Sequence, residues 1–125
     1  MSAASIARYR EMEILGESPR QLVVRMYAHL GVTLRQALLH FEAGRRGEMV
    51  DRLGRAHAVL QELSASLDFE RGGDVARALD DLYRTYLELV TEQMRAPEAP
   101  RLTALVAMAD DLHATWRTAC SEAAA

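Results

Sequence analysis

The stretch Met49-Val50-Asp51-Arg52-Leu53-Gly54-Arg55-Ala56-His57-Ala58-Val59-Leu60-Gln61-Glu62-Leu63-Ser64-Ala65-Ser66-Leu67 decides the fold. Met49, Leu53, Ala56, Leu60, Leu63 and Leu67 follow one another at spacings of 4, 3, 4, 3 and 4, the seam of a helix that packs against other helices. One apolar stripe needs a partner layer, so the flanking sequence must supply further helices.

Upstream, Ser18-Pro19-Arg20-Gln21 reads as a helix start. Ser18 suits the N-cap, Pro19 the first helical position, and Gln21 a side chain reaching back. Leu22, Met26 and Leu30 then recur every four residues, and Val23, Tyr27, Leu34, Leu38 and Phe41 widen the apolar face. Gly44 and Gly47, around Arg45-Arg46, end this helix in a short turn. Downstream, the second helix is expected to run out near Asp68-Phe69-Glu70-Arg71, and a third to begin after Gly72-Gly73. That third helix carries a seam of Val75, Leu79, Leu82, Tyr86 and Leu89. Pro97 and Pro100 make the next segment a loop. Leu102, Leu105, Ala109, Leu112, Trp116 and Ala119 give a fourth helix. Short connections make neighbours antiparallel. The expected fold is all-α, an antiparallel up-down-up-down four-helix bundle over 18–121, with a docked N-terminal arm over 1–17 and a frayed tail over 122–125.

Composition agrees. The chain has 125 residues, half of them apolar and 26% charged, with three prolines and a formal net charge of −3. This suits one helical domain and disfavours nucleic acid, which needs a local excess of basic groups. All fifteen basic residues are Arg, which reads as coding bias. The single cysteine, the lack of a signal-peptide pattern and the lack of a continuous apolar run predict a soluble cytoplasmic protein without membrane insertion.

No catalytic constellation stands out. His29, His40, His57 and His113 are scattered, and Asp110-x-x-His113 is a single carboxylate–histidine pair where a di-iron bundle needs two. Cys120 lies close to the chain end, and Gly72-Gly73 lacks the Lys and Ser/Thr of a phosphate loop. The reading is a non-enzyme with no cofactor and no metal. Two features exceed what a bundle needs. The third helix bears a second apolar stripe, Ala76, Tyr83, Leu87, Val90 and Met94, and the arm holds Ile6, Tyr9, Met12, Ile14 and Leu15. Surplus apolar surface means a central helix or a face offered to a partner.

Several strings resemble one family. They are Ile6-Ala-Arg-Tyr9, Ser18-Pro19-x-Gln21-Leu22-Val23, Met26-Tyr27, and above all Ser66-Leu67-Asp68-Phe69-Glu70-Arg71-Gly72-Gly73-Asp74-Val75-Ala76 followed by Leu79-x-x-Leu82-Tyr83, with Trp116 after Leu112. Together they are similar to the flagellar secretion chaperone family FliS, from about Ile6 to Trp116. The chain departs from the family pattern at Ala28-His29, at Ala78, at Arg84-Thr85 and at Gln93-Met94, which marks a divergent member.

The resemblance implies a cytoplasmic chaperone that binds the C-terminal segment of flagellin, prevents its early polymerisation and brings it to the flagellar export gate. An export-gate subunit and an anti-sigma factor are secondary partners to consider. It further implies that the arm covers an apolar surface until the client arrives, so Ile6 and Tyr9 are read as a placeholder in the client groove. The groove itself is expected on the third helix, at Leu79, Tyr83, Leu87 and Val90, with the turn at Leu67 and Asp68. Leu22, Met26 and Tyr27 are expected to flank the arm. The same residues read equally well as core. The alternative function is a non-catalytic interaction or regulatory bundle that self-associates through its extra apolar face.

Overall fold

A computed structural model describes residues 19–124. The arm, with Ile6 and Tyr9, and the Ser18 cap lie outside the described residues. Four helices follow in order: α1 (Pro19–Glu42), α2 (Arg46–Ala65), α3 (Phe69–Arg95) and α4 (Ala99–Ala124). Helices of 20 to 27 residues are roughly 30–40 Å long at ~1.5 Å per residue. The connections are 43–45, 66–68 and 96–98, and links this short turn each helix back along its predecessor. The result is the expected helical bundle.

Each boundary has a local cause. α1 begins at Pro19 and ends in a Schellman turn. Gly44 takes φ 76°, its N–H donates to Phe41 O at 3.1 Å, and Arg45 N–H donates to His40 O at 2.8 Å. Gly47, expected in that turn, instead sits in the first turn of α2, which starts at Arg46.

The α2–α3 junction corrects the sequence reading more substantially. α2 stops at Ala65, and the residues expected to close it, Asp68 to Arg71, open α3 instead. Asp68 is extended, with φ −106° and ψ 99°, and its carboxylate accepts the N–H groups of Glu70 and Arg71, both at 3.1 Å. That N-cap starts the helix four residues before Gly72-Gly73 can break it. Gly73 then takes φ 49° and ψ −124°, a conformation open to glycine, and kinks α3 after its first turn. At the other end, α4 continues as helix to Ala124, beyond the boundary read at 121.

The core is built mainly from α1, α2 and α4. Met49, Leu53, Ala56, Leu60 and Leu63 of the α2 seam are all buried, as are Leu22, Met26, Tyr27, Leu30, Leu34 and Ala37 of α1 and Leu102, Leu105 and Ala109 of α4. α1 packs along both α2 and α4, and α2 also carries α3. Gly31 lets α1 and α4 approach, because a Cβ there would lie 3.1 Å from Asp110 Oδ1 and 3.8 Å from Ala109 Cβ. The Arg35–Asp110 ion pair, 2.7 Å, crosses the same contact. By contrast, α3 and α4 meet only sparsely, which leaves the bundle open along that side.

The glycines give a paired stability prediction. Gly54 lies mid-α2 with nothing within 4 Å of an added Cβ, so Gly54→Ala is expected to stabilise by about 0.5–1 kcal/mol in chemical denaturation. Gly73→Ala forces a side chain into positive φ and is expected to destabilise by about 1–3 kcal/mol.

Candidate functional site

α3 presents two adjacent apolar stripes, and which of them turns inward determines the site. The stripe expected as surplus supplies the deepest residues: Ala76, Tyr83 and Val90 are buried. The heptad seam is the outward one. Val75 is 68% exposed, while Leu79, Leu82, Tyr86 and Leu89 are half-buried. The sequence left open whether the second stripe is core or an offered face, and the structure turns it inward, with Leu79, Tyr86 and Leu89 of the seam packed at the edge of the core. The reason is that α3 is held through α2, with α4 standing off.

This rotation opens a groove of about 510 Å³ at the kinked end of α3. Val75, Ala76, Leu79 and Tyr83 form its α3 wall, Leu63 and Leu67 its α2 side, and Val23 and Trp116 the part from α1 and α4. Arg20, Asp68 and Arg71 lie on its polar margin, where Arg71 and Asp68 pair at 3.8 Å. Phe69, 45% exposed, stands close by in sequence on the first turn of α3.

Of the candidate residues, Leu67, Asp68, Leu79 and Tyr83 come together in this groove. Leu22, Met26, Tyr27 and Val90 are buried in the core, and Leu87 is half-buried on α3 outside the groove. Val75 and Trp116, which sequence reasoning placed in core seams, are groove residues as well. The signal that could have separated them is the Gly-Gly pair just before Val75, which allows the backbone to turn there.

Beneath the groove lies an aromatic node. The Tyr27 hydroxyl of α1 and the Tyr83 hydroxyl of α3 hydrogen-bond to one another in the buried interior. The Tyr27 and Trp116 rings lie 6.1 Å apart, tilted by 34°, which ties α4 to the same point. Burial pushes the Tyr27 phenol far above its ordinary value, the neighbouring Tyr83 adds to the rise, and the Trp116 side chain offsets part of it. A second tie fixes α3 on α2, with Ser64 Oγ donating to Asp80 Oδ1 at 2.9 Å. Asp80 also pairs with Arg84 at 3.1 Å. The node joins α3 to α1, and this tie joins it to α2, beside the groove.

Among the described residues, no three or more His, Cys, Asp and Glu side chains gather as metal ligands would, and no helix is long and apolar enough to cross a membrane. The arrangement suits reception of an apolar polypeptide face.

The node sets a pH dependence. In the unfolded chain Tyr27 ionises near pH ~10, whereas the folded protein keeps it protonated well above that. Unfolding therefore gains free energy as pH rises past ~10, by up to about 1.4 kcal/mol per pH unit for one such group. Thermal unfolding between pH 8 and 11.5 is expected to show stability falling above about pH 10, and Tyr27→Phe is expected to flatten that fall. At neutral pH the same variant is expected to cost about 1–2 kcal/mol through the lost buried hydrogen bond.

Comparison with known proteins gives the same picture from a different direction. The family model described as "Flagellar protein FliS" matches residues 1–123. The chain is also similar to the flagellar secretion chaperone FliS of Vibrio cholerae serotype O1, at 24% identity over 106 residues, covering 85% of this chain and 78% of that protein. A match that runs from the arm through the junction at Asp68 and on to α4 spans every element that builds the groove, and on that ground the chain belongs to the flagellar protein FliS family.

Proposed function

We propose that this protein is a cytoplasmic flagellar export chaperone that binds the C-terminal segment of flagellin, keeps it from polymerising early and aids its delivery to the export gate. The observation that carries this reading is the groove beside α3, with its exposed and half-exposed Val75, Leu79 and Leu67 beside the aromatic rings of Tyr83 and Trp116. Membership of the family supports it.

The physics suits the task. A flagellin terminus before assembly is an unfolded amphipathic segment, and its apolar stripe can lie helix-in-groove against α3. Ordering such a segment costs several kcal/mol, so the contact should be long and largely apolar. In this reading Ile6 and Tyr9 of the arm occupy the groove until the client displaces them, lowering apparent affinity by the fraction of time the groove is closed. Leu22, Met26, Tyr27, Leu87 and Val90 then act from beneath, by holding the walls. An export-gate subunit and an anti-sigma factor are further partners in the same reading, and catalysis has no part in it.

Calorimetric titration of the full chain with the C-terminal segment of flagellin from the same organism tests the proposal. Saturable one-to-one binding with a negative heat-capacity change is expected. Val75→Asp, a surface change on the groove, is expected to weaken binding about tenfold or more. Leu39→Asp, at another exposed apolar position, on α1 (57%), is expected to leave it unchanged. Removing residues 1–15 is expected to tighten binding. No binding by either the full or the shortened chain, together with a stable dimer in light scattering, would favour self-association through the same face.

A further inference from the structure

The start of α3 and the rest of that helix border the groove separately, on either side of the kink. Residues 69–72 make a turn closed on Asp68: its carboxylate accepts the N–H groups of Glu70 and Arg71, and its carbonyl accepts that of Gly72 at 2.8 Å. The helix beyond Gly73 has its own seats, Ser64 of α2 on Asp80 and Tyr27 of α1 on Tyr83. Asp68, Arg71 and Gly72 line the groove from the turn, and Val75, Ala76 and Leu79 line it from the helix beyond, with the non-helical Gly73 between. The two parts touch at one close point. A Cβ added to Gly72 would lie 2.8 Å from Ala76 Cβ, whereas side chains four apart in a regular helix keep their Cβ atoms ~5–6 Å apart. The kink therefore folds the turn onto Ala76, and a residue without a Cβ is what allows it. Carbon atoms pack best at ~3.5–4.0 Å, so any side chain at position 72 drives the turn away from Ala76 by about 1 Å.

We propose that the Gly72–Ala76 contact sets the width of the groove, which makes this pair the specificity-determining residues for the size of side chain admitted. Both residues line the cavity, so separating them widens it between turn and helix. Held together, they keep that edge narrow and favour a slender aliphatic side chain over a broad indole. For the identity of what enters, this rests on the client-binding reading above; the width is a property of the chain alone.

NMR of the isotope-labelled full chain tests it, following the Trp116 indole N–H in the groove while N-acetyl-leucine methylamide or N-acetyl-tryptophan methylamide is added. The wild type is expected to favour the leucine probe, and Gly72→Ala to move the ratio of the two affinities about tenfold towards tryptophan. Adding Ala76→Gly to Gly72→Ala removes the second Cβ and is expected to restore the ratio. A mere loss of stability would behave oppositely, because a glycine at 76 weakens the helix further. An unchanged ratio in Gly72→Ala, no restoration in the double variant, or no binding of either probe by the wild type would overturn the proposal. If Gly72→Ala fails to fold, a folded, leucine-selective double variant supports the proposal and an unfolded one overturns it. The wild type is also expected to show a strong NOE between Gly72 Hα and the Ala76 methyl group, and its absence overturns the contact whatever the variants do. With the flagellin segment, Gly72→Ala is expected to weaken binding about tenfold and the double variant to recover it. Equal flagellin affinity in all three chains would sink the width proposal and leave the client reading standing. If the wild type does not bind flagellin, the client reading falls and the two probes decide the width.

Discussion

Two phenols taken out of water need their hydroxyls satisfied inside the protein, and in this bundle Tyr27 and Tyr83 satisfy one another. The contact joins α1 to α3, two helices that are not chain neighbours, and Trp116 brings α4 to the same place. The arrangement of the open side depends on it. α3 is carried along its length by α2 and meets α4 only sparsely, so beyond its seat on α2 it is the node that ties α3 to α1. A hydrogen bond is directional where apolar packing is not, and a groove of defined width needs direction.

Much of this architecture was legible in the residues. The α2 seam from Met49 to Leu63 is buried as its spacing predicts, and α1 starts at the proline that marks it. What could not be read is the rotation of α3. Val75 and Ala76, or Leu82 and Tyr83, lie side by side on the helix surface, so two stripes of similar apolarity compete for the interior. Periodicity reports that both exist. The choice depends on where α2 and α4 stand, which is a tertiary fact. The junction was misread for a related reason: Gly72-Gly73 looked like the stop between two helices, but Asp68 is a better cap than either glycine is a terminator.

The site candidates divide along the same line. Leu67, Asp68, Leu79 and Tyr83 were chosen from the junction and from α3, and they line the groove. Leu22 and Met26, expected beside the arm, and Val90, expected on the groove face of α3, are buried in the core. Sequence apolarity measures how much surface must be covered, and it leaves open whether the cover is intramolecular.

The three connections of the bundle have a kinetic consequence. Because each spans only three residues, 43–45, 66–68 and 96–98, the α1–α2, α2–α3 and α3–α4 contacts form between segments adjacent in the chain, at little cost in loop closure. The distant events are the docking of α4 onto α1, bringing Leu105 and Ala109 back to the helix that holds Leu30 and Leu34, and the Tyr27–Tyr83 contact of α1 with α3. Helical bundles fold on microsecond-to-millisecond scales, far faster than a ribosome adds a single residue. The chain would therefore reach its native arrangement almost as soon as α4 leaves the ribosome.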